Sequence, residues 1–320
     1  MVNTPLPAPE AAGPFHHPAL FYRGQDQYLA ATVPFVHAGL AAGEPVAAAV
    51  PEPNLTLLRK ELTGDAAWVT LLDMGQAGRN PGRIIPAVLR AFADAHPGKR
   101  VRIIGEPIWP GRSDAEYPAC LQHEALINHA FAGRHATILC PYDADRLGAQ
   151  VLADAAATHP VLADAEGERP SGHYAADHVV QACNRPLPPP AGPDGPPRIA
   201  ELPFDHSGLE AVRALVVRHA RHAGLVADRA LDAELAISEL AANSLVHGGG
   251  AGTLRIWVEP FHLVCEVRDR GHIHDPLAGR RPVELTRPGG RGLLLVNHLA
   301  DLVRIHTRPG GTTVRTYFLR

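Results

Sequence analysis

The amino-acid sequence predicts two domains, an N-terminal α/β domain with a mostly parallel sheet and a C-terminal α+β domain. A proline-rich stretch at 186–197 contains seven prolines in twelve residues, and such a run favours extended polyproline structure over helix or sheet. Before it, apolar runs of strand length alternate with helical segments, which is typical of parallel α/β sheets. After it, two helical segments precede paired strands, which indicates an α+β domain.

Composition restricts the possible function classes. The 320 residues suffice for two hydrophobic cores, and 46% hydrophobic with 20% charged residues indicates a globular chain. A net charge of -3 argues against a nucleic-acid or membrane surface. The N-terminus lacks the features of a signal peptide, and no apolar run approaches the ~20 residues that span a bilayer. The four cysteines show no CxxC spacing, so we expect reduced thiols in a cytoplasmic protein, and the scattered 19 histidines predict no zinc site.

The N-terminal half contains four apolar runs of buried-strand type, each followed by a helical segment. Strands are expected at 45–50, 68–73, 101–105 and 136–140. Helices are expected at 26–42, 54–61, 84–95, 117–132 and in the stretch up to about residue 158. Pro34 should kink or interrupt the first helix, Pro86 should delay the start of the third, and Asn54 is placed to cap the second.

Polar residues follow the third and fourth of these strands. Ligands of parallel α/β sheets bind outside the carboxyl ends of the strands, so a sensory pocket is expected there. Its candidate lining residues are Glu106, Trp109, Arg112, His123, Glu124 and Asp143. Turns that simply need Gly, Pro and Asp would explain the same residues without a ligand. The sequence has no GxxxxGK[ST] loop and no marked nucleophile–base pair, which favours sensing or docking over a second catalytic site.

The C-terminal half predicts two or three helices on one face of a largely antiparallel sheet. Helices are expected at 207–223, at 228–247 and from the glycines at 288–293 to about 300. Strands are expected at 253–259, 262–269, 302–307 and 312–318, the last two as a hairpin. The polar stretch at 272–287 is expected to form a mobile flap.

The most informative pattern lies on the second of these helices. A four-residue spacing places Glu239, Asn243 and His247 on one helical face. Oxygen ligands of this kind suit Mg²⁺ and a nucleotide phosphate, and a carboxylate can also deprotonate an attacking hydroxyl. A solvated helix face is the alternative explanation. Asp269 ends a row of apolar strand residues and precedes Gly271, so a buried carboxylate there needs a partner or a ligand, unless it only initiates a turn.

Four signals now stand in order: ExxxN on a helix, DxG after a strand, GxxG before a helix, and Gly-Thr-Thr in the last hairpin. Together they resemble the N, G1, G2 and G3 elements of the GHKL (Bergerat-fold) ATPase superfamily. The stretch at 238–248 is most similar to the anti-sigma-factor serine/threonine kinase branch. The resemblance covers about 200–320 and implies a Bergerat α+β sandwich that binds ATP and Mg²⁺.

The resemblance also implies roles for single residues. Asn243 would hold Mg²⁺ against the ATP phosphates, and Glu239 would be the general base for a protein hydroxyl. Asp269 would accept the adenine amino group, with Gly271 allowing close approach of the base. Gly290, Arg291 and Gly292 would lie at the phosphates, and Thr312 or Thr313 at the adenine end. His247 is expected to support the helix end.

A second resemblance covers about 15–160. Leu20-Phe-Tyr-Arg23, Gly105–Arg112, His123-Glu124 and Cys140–Asp143 look like the MEDS sensory domain, whose fold is RecA-like without a phosphate loop. The expected domains are therefore a disordered 1–15, a MEDS-like 16–182, a proline-rich linker 183–198 and an ATPase domain 199–320. The effector of the N-terminal domain stays open.

The two resemblances together imply a cytoplasmic anti-sigma-type kinase that binds a sigma factor and phosphorylates a STAS anti-anti-sigma protein. Two departures keep alternatives open. The segment between Asp269 and Gly289 is short, so ATP affinity could depend on a partner, and a partner switch without kinase activity is the alternative. The dimerisation hairpin of sensor histidine kinases does not precede the domain, which argues against the third reading, a histidine kinase-like protein. Family members often form homodimers, and the sequence leaves the oligomeric state open.

Overall fold

A computed structural model describes residues 14–190, 195–282 and 290–320. The chain divides into two compact units. The first holds the residues up to Cys183 except Asn80–Arg83, and the second holds that short segment together with Asn184–Arg320. Two units of mixed α and β structure confirm the predicted two-domain architecture. Within the described ranges, no helix is long and apolar enough to cross a membrane.

The first unit is a sheet whose strands are connected largely by helices. The strands are β1 (Phe15–His16), β2 (Pro18–Tyr22), β3 (Val46–Val50), β4 (Val69–Asp73), β5 (Val101–Gly105), β6 (Ala136–Asp143), β7 (Val161–Asp164) and β8 (Gly167–Pro170). The helices along this part of the chain are α1 (Gly24–Ala41), α2 (Asn54–Leu62), α3 (Met74–Ala77), α4 (Pro81–Ile84), α5 (Ala91–Asp94), α6 (Tyr117–Ala130), α7 (Ala149–Thr158) and α8 (Ala176–Cys183). Of α4, all but Ile84 belongs to the second unit.

The strand order is β4-β3-β5-β6-β2-β7-β8, with β1 paired to β6. Every pairing is parallel except the β7–β8 hairpin. The mostly parallel sheet is therefore confirmed, while its RecA-like character stays a prediction. The sequence reading missed β2, which lies beside β6 near the middle of the sheet. Its five residues begin with Pro18. Proline is tolerated at the first position of a strand, but in a sequence it suggests a loop.

Two predicted effects of proline are wrong. Helix α1 runs unbroken through Pro34, because Tyr28, Thr32 and Val36 on either side of it are fully buried and hold the helix against the core. Pro86 does not delay the start of the helical stretch, which begins at Pro81. Pro86 itself lies in a π-helical turn at Ile85–Arg90. A widened turn accommodates a residue that has no N–H to donate.

The predicted cap of α2 is also wrong. Pro53 precedes the helix as its cap residue, and Asn54 is the first helical residue. The Asn54 amide instead donates to both carboxylate oxygens of Glu106, at 3.1 and 2.9 Å. A long-range polar partner has therefore replaced the local capping role of this side chain.

Apart from Asn80–Arg83, the described residues of the second unit form a five-stranded sheet with three helices. The strands are β9 (Ala200–Phe204), β10 (Gly252–Val258), β11 (His262–Asp269), β12 (Leu302–Arg308) and β13 (Gly311–Leu319), and the helices are α9 (Leu209–His222), α10 (Ala227–His247) and α11 (Gly292–Leu299). The order is β12-β13-β11-β10-β9, antiparallel throughout. The expected layers are confirmed, and β9 is an edge strand that the sequence reading missed.

The apolar core of this unit lies between the helices and one face of the sheet. Helix residues such as Val216, Ile237 and Val296 pack with inward strand residues such as Cys265 and Phe318, and all five are fully buried. The alternation of strand side chains therefore places Leu263, Cys265 and Val267 in the core, in the row that ends at Asp269. This confirms the predicted position of Asp269 at the end of a buried row.

The opposite face of the sheet carries a buried ionic cluster centred on Glu266. Oε1 of Glu266 accepts from Arg255 and from Arg268, each at 2.8 Å. Oε2 accepts from the Nε and Nη2 of Arg315 at 2.8 and 2.6 Å. Burial alone would raise the pKa of Glu266, but these guanidinium groups hold that pKa below its ordinary value. The cluster ties β10, β11 and β13 together.

Some predictions concern segments outside the described residues. These are the disordered N-terminus up to residue 13, residues 191–194 of the linker, and residues 283–289 of the flap. The flap segment before residue 283 is described, and its turn at Asp275–Arg280 includes the fully buried Leu277.

Candidate functional site

The polar face of α10 meets the start of α11. A side-chain carbon placed on Gly292 would lie 3.1 Å from Oε2 of Glu239 and 3.1 Å from Nδ2 of Asn243. Both side chains therefore reach the first residue of α11, and any larger residue there would be in tight contact with them. The four-residue spacing on α10 brings the carboxylate and the amide to one point, as the sequence predicts.

A cavity of about 750 Å³ opens beside this point. That volume lies within the range of small-molecule sites, about 300–1,000 Å³. Its walls are contributed by α10, the end of β11, the segment after β11, the start of α11 and β13. The lining residues include Leu240, Asn243, His247, Val267, Asp269, Gly271, Ile273, Leu277, Arg281, Gly290, Gly292, Thr312 and Val314. Apolar side chains thus form part of the wall and polar groups face one another across it.

Asp269 is held firmly at one end of this cavity. Its Oδ2 accepts from the hydroxyl of Ser244 at 2.7 Å, and its Oδ1 accepts from the backbone N–H of Gly271 at 2.8 Å. A side-chain carbon on Gly271 would come within 2.8 Å of the carbonyl oxygen of His247, so glycine is required where β11 passes the end of α10. Each carboxylate oxygen keeps a lone pair that can accept from a ligand.

Thr312 completes this end of the cavity. Its hydroxyl donates to the carbonyl of Gly271 at 2.9 Å and lies 2.8 Å from the hydroxyl of Thr307. Thr312 and Val314 both line the cavity, so the alternation of β13 turns Thr313 to the other face. Of the two threonines expected at the adenine end, the structure therefore brings only Thr312 to the cavity.

The start of α11 forms the other end. Gly290 lies in the left-handed region with φ 79°, Arg291 is the N-cap, and the first intrahelical bond runs from the N–H of Leu295 to the carbonyl of Arg291. The N–H groups before Leu295 are those that a helix leaves without an intrahelical partner. Together with the helix dipole they favour an anion beside Asn243.

The cavity gathers most of the residues that the sequence pattern indicated. Asn243, Asp269, Gly271, Gly290, Gly292 and Thr312 line it. Glu239 adjoins it at Gly292. Two contributors were missed: Ser244, which orients Asp269, and Thr307, which positions Thr312. Ser244 directly follows Asn243, but nothing local shows that a serine faces a distant strand.

The six candidates of the N-terminal unit separate into three groups by their contacts. Glu106 is bound by Asn54, as described above. Burial raises the pKa of Glu106 to about 8, helped by the nearby Asp143 and opposed by Asn54 and Tyr22. These contacts place Glu106 and Asp143 in one environment at the carboxyl ends of β5 and β6.

Arg112 and Trp109 form the second group. The Arg112 guanidinium lies 3.9 Å from the centre of the Trp109 ring. Arg112 also donates to the carbonyl of Pro107 and to Oε1 of Glu116, at 3.0 and 2.7 Å. These contacts hold together the turn after β5. They support a structural role for Arg112 rather than a ligand-binding role.

His123 and Glu124 form the third group, and both are buried. Oε2 of Glu124 lies 3.0 Å from Nε2 of His159 and 3.7 Å from Nε2 of His17. Burial opposes ionisation, but the two imidazoles and His123 lower the pKa of Glu124 below its ordinary value. His17 and His159, which the sequence reading did not single out, are therefore the partners of Glu124.

Two family models match the chain. The model of MEDS, the MEthanogen/methylotroph, DcmR Sensory domain, matches residues 16–160. The model of the histidine kinase-like ATPase domain matches residues 202–318. Except for Asn80–Arg83, which belongs to the second unit, the first range falls within the first unit, and the second range falls within the second unit.

Two known proteins are similar to part of the chain. The serine-protein kinase RsbW of Halalkalibacterium halodurans is 28% identical over 131 residues, which cover 37% of this chain and 81% of that relative. A solved structure of the RsbU and RsbW domains of Rv1364c from Mycobacterium tuberculosis is 20% identical with a TM-score of 0.29. That match covers 39% of this chain and spans about a third, 34%, of the solved chain.

Proposed function

We propose that this chain is a regulatory protein kinase. It joins a MEDS domain to a histidine kinase-like ATPase domain of the anti-sigma-factor kinase family. It binds Mg-ATP in the cavity beside α10 and transfers phosphate to a serine or threonine of a STAS anti-anti-sigma protein. It sequesters a sigma factor when that STAS protein is phosphorylated, and the MEDS domain modulates this exchange of partners.

The observation that carries the proposal is the meeting of three features at one cavity. Glu239 and Asn243 reach the start of α11, that helix end offers N–H groups without an intrahelical partner, and Asp269 lies at the opposite end. A site with an anion cradle at one end and a fixed acceptor among apolar side chains at the other suits a nucleotide.

The adenine end is formed by Asp269 and its neighbours. In the proposal Asp269 accepts the exocyclic amino group of adenine, and Ser244 with the Gly271 N–H keeps the carboxylate in place. Leu240, Val267 and Val314 supply apolar surface for the base. Thr312 extends the polar network through the Gly271 carbonyl.

The phosphate end is formed by α10 and α11. Asn243 presents an amide oxygen, a ligand type that suits Mg²⁺, and the N–H groups before Leu295 bind phosphate oxygens. When bound, ATP would supply the transferable phosphoryl group, and Mg²⁺ would neutralise the charge on the phosphates. In the proposal Glu239 accepts the proton of the attacking hydroxyl, and phosphoryl transfer demands little more than this positioning and charge neutralisation.

A second candidate is a nucleotide-gated partner switch without kinase activity. The position of Glu239 favours this alternative as well, because a carboxylate beside the first residue of α11 stabilises the helix dipole without any catalytic role. The two candidates differ in what the loss of the carboxylate would change. In the switch it would alter α11 and nucleotide binding, and in the kinase it would abolish transfer while ATP still binds.

The decisive experiment combines calorimetry with a transfer assay. Full-length protein, Glu239→Gln and Asn243→Ala are titrated with Mg-ATP and then incubated with a panel of STAS proteins and labelled ATP. The kinase proposal expects Asn243→Ala to lose ATP binding, and Glu239→Gln to keep binding but lose transfer. Glu234→Gln, one turn earlier on α10, is the matched control and should behave as wild type. Transfer undiminished in Glu239→Gln, or ATP binding without transfer by the wild type across the panel, would reject the kinase assignment.

A further inference from the structure

Four side chains of the first unit converge inside the protein, remote in sequence from one another. His17 lies between β1 and β2, Glu124 on α6, Cys140 on β6, and His159 directly after α7. All four residues are 0% exposed. One ligand atom from each lies within 4.8 Å of the others. Two imidazoles, a carboxylate and a thiol are a ligand set that transition-metal ions bind.

The distances between these atoms suit a tetrahedral ion. Nε2 of His159 lies 3.0 Å from Oε2 of Glu124, Nε2 of His17 lies 3.7 Å from the same oxygen, and Sγ of Cys140 lies 3.4 Å from Nε2 of His17. Metal–nitrogen and metal–sulfur bonds of about 2.0 and 2.3 Å at tetrahedral angles place neighbouring ligand atoms about 3.3–3.6 Å apart. These three separations lie near that range, and all four ligand atoms lie within 4.8 Å of one another.

Asn128 sets the orientation of His17. The Asn128 amide nitrogen donates to the carbonyls of Ala125 and Thr158, at 3.2 and 2.8 Å, so its oxygen must face the imidazole. That oxygen lies 3.1 Å from Nδ1 of His17. Nδ1 is therefore the protonated nitrogen, and Nε2 turns a lone pair toward the cluster. Metal-bound histidines are commonly oriented by this kind of outer hydrogen bond.

His159 is oriented in the same way. Its Nδ1 lies 2.9 Å from the carbonyl of Ala155, which can only accept, so Nδ1 carries the proton and Nε2 presents a lone pair. Within the described residues, Nε2 of His159 and both carboxylate oxygens of Glu124 lack a partner with hydrogen-bond geometry. Two imidazole nitrogens and a carboxylate that face one another at full burial are costly unless a proton or a cation lies between them.

We propose that His17, Glu124, Cys140 and His159 bind a single Zn²⁺ ion as a closed, four-coordinate site. A divalent ion held by a carboxylate, a thiolate and two neutral imidazoles carries no net charge, which suits full burial. Four protein ligands leave no open position, so the site is structural rather than hydrolytic. It joins β6, α6 and the segments beside β2 and β7. This proposal is independent of the kinase assignment, which concerns the other unit.

Cobalt substitution tests the site, because a thiolate bound to Co²⁺ gives a charge-transfer band that carboxylate and amide sites cannot give. Full-length protein is stripped with a chelator and titrated with Co²⁺, then with Zn²⁺ as competitor. The expected result is stoichiometric binding, tetrahedral d–d bands, a thiolate band, displacement by Zn²⁺ and a higher melting temperature. Cys140→Ser should lose the thiolate band, and the matched control Cys183→Ser should keep it.

A second variant separates metal positioning from folding. Asn128→Ala keeps all four ligands but frees the His17 ring, so the thiolate band should remain while Co²⁺ affinity falls by about 10–100-fold. Three results would overturn the proposal: no stoichiometric Co²⁺ or Zn²⁺ bound by the folded wild type, a thiolate band that persists in Cys140→Ser, or unchanged affinity in Asn128→Ala. The first would show that the cluster is held by protonated imidazoles instead of a metal.

Discussion

Ser244 on α10 donates its hydroxyl hydrogen to Oδ2 of Asp269 at the end of β11, over 2.7 Å. This bond joins the helix that carries Glu239 and Asn243 to the strand that carries the adenine-binding candidate. The two ends of the cavity are therefore linked through α10 and this hydrogen bond. The bond also determines which orientation Asp269 presents to a ligand.

We expect Ser244→Ala to weaken ATP binding without abolishing it. Asp269 would keep the Gly271 N–H but lose its second donor, a loss of about 0.5–1.5 kcal/mol, the usual net value of one hydrogen bond. Calorimetry with ATP and with ADP should show the same reduction for both, because the adenine end is affected. Ser238→Ala is the control, since that hydroxyl donates to the Glu234 carbonyl on the same helix. Equal affinities for wild type and Ser244→Ala would argue against Asp269 as the adenine acceptor.

We expect Gly292→Ala to impair binding of the phosphates more than binding of the base. The added carbon would lie 3.1 Å from both Glu239 and Asn243, so these side chains would have to shift by a few tenths of an ångström at the start of α11. ATP affinity should fall more than adenosine affinity in a competition assay. Gly172→Ala, where an added carbon meets no atom within 4 Å, controls for a general effect of alanine. A parallel fall for both ligands would count against an anion site at this helix end.

We expect Glu266→Ala to destabilise the second unit strongly. Removing one partner of a buried ion cluster typically costs about 3–5 kcal/mol, because the guanidinium group of Arg315 is left buried without its counter-ion. Urea unfolding monitored by the fluorescence of the neighbouring Trp257 measures this loss. Glu201→Ala is the control: Glu201 also pairs with Arg255, at 3.4 Å, but is 59% exposed, so a cost of at most about 1 kcal/mol is expected. Comparable losses in both variants would contradict this account.

We expect Glu106 to make the first unit less stable as the pH rises. Its folded pKa of about 8 lies above the ordinary 4.5, so the folded state binds the proton more tightly than the unfolded state. The stabilisation is complete below 4.5 and is lost between 4.5 and about 8, at no more than about 1.4 kcal/mol per pH unit. Thermal unfolding at a series of pH values measures the slope.

Glu106→Gln mimics the protonated carboxyl and should remove that slope while keeping a bond with Asn54. Glu166→Gln, at an exposed position, should leave the slope as in the wild type. A slope that persists in Glu106→Gln would show that another group causes the pH dependence.

Patterns within single elements allowed much of the second unit to be predicted. The spacing of Glu239 and Asn243, the strand row that ends at Asp269 and the glycines before α11 are local, and the structure brings all of them to one cavity. Predictions failed where a distant contact overrode a local preference. Packing of Tyr28 and Val36 carries α1 through Pro34, and Glu106 takes the Asn54 side chain away from its helix end.

The sequence by itself determined the two-domain organisation, the largely parallel and antiparallel character of the two sheets, and the polar face of α10. These follow from residue periodicity and chain breakers, which act over a few positions. Only the tertiary structure decided that Ser244 donates a hydrogen bond to Asp269 and that Thr312 rather than Thr313 faces the cavity. It also brings together four buried side chains, those of His17, Glu124, Cys140 and His159. Tertiary packing brings such residues together from 25 positions apart, as for Ser244 and Asp269, to more than a hundred, as for His17 and Cys140, and no spacing in the sequence records that proximity.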